Sequence, residues 1–285
     1  KQVTFLGHIL NGESLWIPEE RKSYFDSLEP PTTRKELQSL LGVSGYMAQF
    51  VDSYHLKVGP LFDALKGKTD KQKFQLNDIQ MKSFYELKES IKQAEKLYIV
   101  DFDQPIYMEA DSSLTGTGSI LYQEYEDPDD IRGRPLRRII RYGSRRFSVT
   151  ESLHHTSLER EALGILIAAK THYYYLFNCT RAVVKTDLKS LITLLSCYNN
   201  PDSSRMARIS HKLYSLPFQW SLIHSAGVDI PLADALSRLH PPYQCAFTDR
   251  HLRYPDLQRD NIKMPEEWKK TPNLVLTTAD ILQAM

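Results

Sequence analysis

Four acidic residues stand where a carboxylate can be held rigidly and aimed into a cleft. Asp111 and Asp187 each end an apolar strand, Glu161 lies early in a long helix, and Asp234 lies in a last short helix. Carboxylate oxygens suit Mg²⁺, which is held by few protein groups and keeps waters for a substrate phosphate. Two such ions about 4 Å apart activate a water and stabilise a leaving oxygen in phosphodiester cleavage. Each acid also has a plainer reading. Asp111 starts a turn, and Glu161 pairs on the surface with Arg160 or Lys170. Asp187 caps the helix that opens at Leu188, and Asp234 pairs with Arg238 four residues on. Spacing alone leaves both readings open.

The elements that must position these acids are legible as patterns. Tyr107 and Glu109 alternate with Met108 and Ala110, as in a half-buried strand, and Asp111 stands where the chain turns polar. Strands are predicted over 97–100, 105–111, 117–124 and 138–144, then a helix over 157–174 with Leu158, Ala162, Ile165, Leu166 and Ala169 on one face. A strand at 182–187, helices at 188–196 and 203–215, a strand at 218–224 and a short helix at 230–238 follow. If the first strands form a meander and the 182–187 strand pairs with the 105–111 strand in parallel, Asp111 and Asp187 end side by side, with Glu161 one turn into the helix between them.

Upstream, residues 3–10 form one strand, Asn11-Gly12 makes a hairpin turn, and Ser14 to Ile17 returns. Pro18 opens a short helix. Thr33 and Glu36 have the form of a capping box before a helix reaching about Phe50. Gly42 and Gly45 within that helix imply close packing on a neighbour. Helices near 57–65 and over 77–94 complete a helical module of residues 18–95. Residues 241–285 are weakly periodic and form a tail or linker.

The 285 residues carry a net charge of +1, so no overall field advertises a nucleic-acid partner. The charge is uneven: an acidic loop from Glu124 to Asp130 precedes a basic stretch with Arg132, Arg134, Arg137, Arg138, Arg141, Arg145 and Arg146. Three cysteines, Cys179, Cys197 and Cys245, lack metal-type spacing and fit a reduced, intracellular setting. No run approaches the length of a membrane span. The chain opens at Lys1 directly into an apolar strand and is expected to be a cut through a longer polypeptide.

Four blocks resemble the ribonuclease H domain of reverse transcriptases from gypsy-type LTR retrotransposons and retrovirus-like elements, in the family order. They are Asp111-Ser-Ser-Leu-Thr-Gly-Thr-Gly-Ser-Ile-Leu121, Ser157-Leu-Glu-Arg-Glu161-Ala-Leu-Gly-Ile-Leu166, Val183-Val-Lys-Thr-Asp187 and Leu232-Ala-Asp234-Ala-Leu-Ser-Arg238. Upstream, Phe5-Leu-Gly-His-Ile-Leu10 resembles the primer-grip strand, Leu37 to Tyr46 the thumb helix, and Phe74 to Lys88 the connection. The resemblance covers about residues 1–240.

It implies an α/β fold: a ribonuclease H-like mixed five-stranded sheet of order 3-2-1-4-5 with flanking helices, preceded by a small helical thumb/connection module. The implied units are a primer-grip-like hairpin at 1–17, thumb/connection at 18–95, ribonuclease H at 96–240 and a tail at 241–285. It also implies metal ligands at Asp111, Glu161, Asp187 and Asp234 for two Mg²⁺ ions, with Mn²⁺ able to substitute. Glu161 is preferred to Glu159 because Ala-Leu-Gly-Ile-Leu follows it. His224 matches a histidine that assists product release in related enzymes. Gly116 and Gly118 are expected to let the hairpin turn tightly beneath Asp111.

The implied activity is cleavage of the RNA strand of an RNA/DNA hybrid, with Arg138, Arg141, Arg145, Arg146 and the lysines at 66, 68, 71 and 73 as candidate phosphate contacts. The implied partners are the hybrid and the palm and fingers of the same polyprotein, with a homodimer left open and no membrane. The implied setting is the cytoplasm, virus-like particles included, with access of the element to the nucleus. Two departures stand out: Leu188 where the family often has His, and Met47-Ala48-Gln49 where it usually has a basic pair. No paired-Asp polymerase motif occurs. The alternative is a non-catalytic, structural or domesticated nucleic-acid-binding subunit of a reverse transcriptase.

Overall fold

The computed structural model describes residues 2–66, 74–127, 135–196 and 204–225. The expected strand at 3–10 is broken in two. Leu6 and Gly7 both adopt left-handed backbone, with φ of 47° and 74°, so β1 (Val3–Phe5) folds back on β2 (His8–Leu10) with Phe5 opposite His8. Two successive positive φ values make the two-residue hairpin turn that matches strand twist. A Cβ at Gly7 would also meet the Arg21 guanidinium, which would have to swing aside. The hairpin at Asn11-Gly12 leads to β3 (Ser14–Trp16) as expected.

Helices α1 (Glu19–Ser27), α2 (Arg34–Gly45), α3 (Tyr54–Lys57), α4 (Gly59–Ala64) and α5 (Asp78–Lys92) follow, with a 3₁₀ turn at Ala48–Phe50. The Thr33–Glu36 capping box is present, and so is a second at Asn77 and Gln80. Gly42, however, faces open space rather than a helix. A core from Ile17 and Phe25 through Leu37, Phe84 and Ile91 to Leu97 holds this unit together. Strand β4 (Leu97–Tyr98), assigned by composition to the strand-rich half, pairs with β3 and completes a four-stranded sheet.

The second sheet comprises β5 (Ile106–Ser112), β6 (Gly116–Tyr125), β7 (Leu136–Arg146), β8 (Ala182–Thr186) and β9 (Trp220–His224), in spatial order β7-β6-β5-β8-β9. The meander is antiparallel, while β5–β8 and β8–β9 are parallel. This is the expected 3-2-1-4-5 mixed sheet. The connections carry α6 (Val149–His154), α7 (Ser157–Thr171), α8 (Tyr173–Asn178), α9 (Lys189–Ser196) and α10 (Ser204–Tyr214). Residues of α7, α9 and α10 share one core with Met108, Ala110, Leu121, Ile140 and Val184 on one face of the sheet.

The opposite face at β7 is covered by the N-terminal unit, into whose core Ile139 and Tyr142 pack. Arg146 donates to Gly59 O at 3.0 Å and pairs with Asp63 at 2.9 Å. Gly116 and Gly118 lie in strand β6, and the left-handed glycines among the described residues are Gly7 and Gly12. The expected tight-turn role is therefore replaced by a packing one at Gly116, where a Cβ would stand 2.5 Å from the Arg145 carbonyl oxygen of β7 and 2.4 Å from Leu56 Cδ2 of the N-terminal unit.

Gly164 lets α7 descend onto the sheet, since a Cβ there would lie 2.0 Å from Ser112 Oγ and 2.9 Å from Thr117 Oγ1. Gly164→Ala should therefore cost about 1–3 kcal/mol in urea denaturation, the usual range for overpacking. Beneath the sheet, His172 is fully buried at the end of α7, 3.0 Å from Ser119 Oγ. Burial, with Arg141 second, pushes its pKa down from 6.5 to about 3. The unfolded chain therefore binds a proton that the folded one refuses between those values. His172 contributes fully above pH 6.5. Its contribution falls as the pH drops, by about 1.4 kcal/mol per pH unit. Urea titrations from pH 7 to 4 should show that slope, and His172→Gln should reduce it by one proton.

Candidate active site

Three of the four expected acids lie on described elements. The parallel register of β5 on β8 runs from Ile106 opposite Ala182 to Glu109 opposite Lys185. β8 ends at Thr186, just before Asp187, while β5 runs on beside β6 through Asp111 to Ser112, so the two acids lie at the same end of the sheet. Asp111 is half-buried and its Oδ1 accepts the Ser112 N–H at 2.8 Å. Its carbonyl accepts the Thr117 hydroxyl at 3.0 Å, which ties the strand end to β6.

Glu161 is buried, 8% exposed. Its surface reading therefore fails, and Arg160 turns its guanidinium to the His155 carbonyl. Burial is the main cause pushing the Glu161 pKa up to about 9, followed by the negative charges of Asp111 and then Asp187. The Ser112 backbone N–H and Arg160 act weakly in the opposite direction. Three carboxylates from β5, α7 and the β8 exit thus share one field. Asp187 is exposed, and the Leu188 N–H donates to Thr186 Oγ1 at 3.2 Å rather than to Asp187.

Glu159, the other acid considered, closes a capping box with Thr156 and pairs with Arg205 at 3.4 Å. Its helix-starting role explains why it faces away from the cluster. His224 ends β9 directly opposite Thr186, one residue before Asp187, which brings it to the same sheet edge. Asp234 and its short helix lie outside the described residues.

Carboxylate oxygens at the end of a rigid sheet are the donor set that hard dications take. The raised Glu161 pKa marks charge that the surrounding protein groups leave uncompensated, and Ser112 Oγ beside it is buried without a hydrogen-bond partner. The residues present therefore fit Mg²⁺. Among the described residues, no three His, Cys, Asp or Glu side chains close on a single ion position.

The four candidate arginines have distinct surroundings. Arg138 is sandwiched between Tyr98 (5.3 Å) and Tyr125 (4.2 Å). Arg141 has its Nε buried and lies near His172. Arg145 donates to Glu151 with its side chain 44% exposed. Arg146 is the link to Asp63 and Gly59. Lys66 pairs with Asp63 at 2.8 Å, whereas Lys68, Lys71, Lys73, Arg132 and Arg134 lie outside the described residues.

One polar network escaped the sequence. Glu109, expected on a half-exposed face, is 0% exposed. It accepts from the Tyr122 hydroxyl and pairs with Arg137 at 3.2 Å. Lys185 beside it bonds Glu124 at 2.6 Å. The alternation of β5 places Glu109 correctly on that face, but its burial comes with partners on two other strands, β6 and β7, which no local pattern announces.

Comparison with known proteins agrees with this geometry. Residues 101–215 match the family model for the RNase H-like domain found in reverse transcriptase. The chain is 27% identical over 256 residues to the Pol polyprotein of the Drosophila melanogaster transposon opus, covering 87% of the chain and 24% of that polyprotein. It is 23% identical over 192 residues to the Gag-Pol polyprotein of woolly monkey sarcoma virus, covering 67% of the chain and 11% of the relative. The chain thus spans a quarter or less of these relatives. A foamy viral protease–reverse transcriptase solved with an RNA/DNA hybrid shares the fold, with a TM-score of 0.63 at 18% identity, over 90% of this chain and 32% of that one. No helix among the described residues is long and apolar enough to cross a membrane. The chain carries a reverse-transcriptase RNase H-like domain and is a homologue of the Pol polyproteins of gypsy-type LTR retrotransposons and of retroviral Gag-Pol.

Proposed function

We propose that this chain is the ribonuclease H portion of a retroelement reverse transcriptase and cuts the RNA strand of RNA/DNA hybrids. The observation that carries this reading is the convergence of Asp111, Glu161 and Asp187 at one sheet end, expressed in the raised pKa of Glu161. Asp111, Glu161, Asp187 and Asp234 would hold two Mg²⁺ ions, for which Mn²⁺ would stand in. Bound there, the dications supply charge neutralisation, an activated water and stabilisation of the leaving oxygen.

The chain's own residues do the rest. The Ser112 N–H fixes the Asp111 carboxylate. Glu161, which burial and its acidic neighbours keep protonated, would have to lose that proton to serve as a ligand. His224, across the edge from Thr186, assists product release. Arg145, exposed beyond its pairing with Glu151, is the foremost phosphate contact of the four arginines, and Arg138, Arg141 and Arg146 contribute from more enclosed positions. The products carry 3′-hydroxyl and 5′-phosphate ends. Residues 18–95 serve as thumb and connection, docking with the palm and fingers of the polyprotein, and the activity operates in the cytoplasm. The non-catalytic reading draws on one observation, the unclosed set of described acids.

Two experiments separate the readings. With a labelled hybrid and Mg²⁺, the wild-type chain should cleave and Asp111→Asn should lose roughly a hundredfold or more, beyond the 10–100-fold typical of second-shell changes. Undiminished cleavage by that variant overturns the assignment. Stability reads the metal site independently of activity. Glu161 has a folded pKa of about 9 against 4.5. In metal-free buffer its contribution is therefore present below 4.5 and is lost as the pH rises toward 9. Glu161→Gln should remove that slope. Added Mg²⁺ should raise the wild-type Tm at pH 8 and leave that of Glu161→Gln nearly unmoved.

A further inference from the structure

Strand pairing lays a row of residues across the end of the second sheet: Asp111 opposite Gly118, and Gly118 opposite Ser144. The row lies on the face that the N-terminal unit covers, because Ile120 and Tyr142 stand two residues along the same strands and Tyr142 packs into that unit's core. At the end of the row is a residue of the other unit. The His55 backbone N–H donates to Ser144 Oγ at 2.9 Å, and His55 Nδ1 lies 3.2 Å from the same oxygen. Two inter-strand steps separate Asp111 from Ser144, about 10 Å.

His55 is held firmly yet presented outward. It follows Ser53, which is buried and left-handed (φ 48°, ψ 32°), a conformation costing about 1–3 kcal/mol in a non-glycine residue. Its ring meets Tyr54 edge-on at 5.2 Å. Leu56, the next residue, is buried over Gly116. The His55 residue itself is exposed. The Ser144 hydroxyl accepts the backbone N–H and keeps its own proton to give to Nδ1; with the hydroxyl donating, the ring carries its proton on Nε2, directed away from Ser144. Partial burial holds the His55 pKa below its usual value, so the ring is a neutral donor at pH 7.

We infer that His55 is a nucleic-acid-backbone contact of the nuclease site, an Nε2–H donor from the N-terminal unit that grips a phosphate of the duplex whose scissile strand lies at Asp111. This rests on the proposed ribonuclease reading and adds to it a substrate contact from outside the RNase H-like domain. Phosphate contacts of this kind set register rather than sequence preference. A neutral donor also leaves the salt dependence of binding almost unchanged.

The test uses the full 285-residue chain with a fluorescent RNA/DNA hybrid, reading anisotropy and cleavage together. His55→Ala should raise Kd and KM about three- to tenfold, the size of one net hydrogen bond, with kcat and Tm held. His55→Gln, which keeps an N–H donor, should recover part of the loss. Ser144→Ala should weaken binding in the same direction. Wild-type hybrid binding with unchanged affinity in His55→Ala overturns the inference and leaves the ribonuclease reading intact. A fall in Tm that accounts for the whole loss also overturns it. Failure of the wild-type chain to bind or cleave any hybrid overturns both.

Discussion

The parallel pairing of β5 with β8 is the constraint from which the candidate site follows. A parallel pair needs a crossover, and here the crossover contains α7, packed on β5 and β6. Two strands running the same way end at the same edge, so their last residues meet whatever their distance in sequence. Asp111 and Asp187, 76 positions apart by number, become neighbours for that reason. The helix between them must then approach closely enough to add Glu161. Gly164, flush against Ser112 and Thr117, permits the approach.

The same constraint explains the electrostatics. A carboxylate carried by a core-packed helix loses most of its hydration, and two further acids at the strand ends add repulsion. Arg160 and the Ser112 N–H offset this only in part, so Glu161 holds its proton far above the ordinary carboxylate range. Glu109 is the contrasting case. It is more deeply buried, but Tyr122 and Arg137 are supplied by the sheet itself. One acid is fastened through a single carboxylate oxygen to partners within the sheet, while the other is buried beside two further acids.

Much of this was legible in the residues. The strand and helix order, the sheet order and the placement of Asp111, Glu161 and Asp187 followed from alternation, helical spacing and the resemblance of four blocks. The misses have physical reasons. Leu6 and Gly7 interrupt an apolar run with a turn that depends on backbone conformation rather than polarity. Leu97 and Tyr98 join the first sheet because pairing partners are chosen in three dimensions. Gly116 is small because the Arg145 carbonyl on the neighbouring strand and Leu56, sixty residues earlier by number, both crowd it. His55 carried no signal, since its relation to Asp111 runs through two strand pairings and a serine.

Strand β7 serves two masters. Ile140 is a core residue of the second sheet and α7, whereas Ile139 and Tyr142 belong to the core of the N-terminal unit, with Arg146 fastened to α4. Replacing either half would therefore disturb this seam. A foreign N-terminal unit would arrive without the side chains that line the outer face of β7, and a foreign RNase H-like domain would bring a β7 cut to fit another neighbour. Side chains on a single strand of one half are shaped to the other, so the two are matched as a pair.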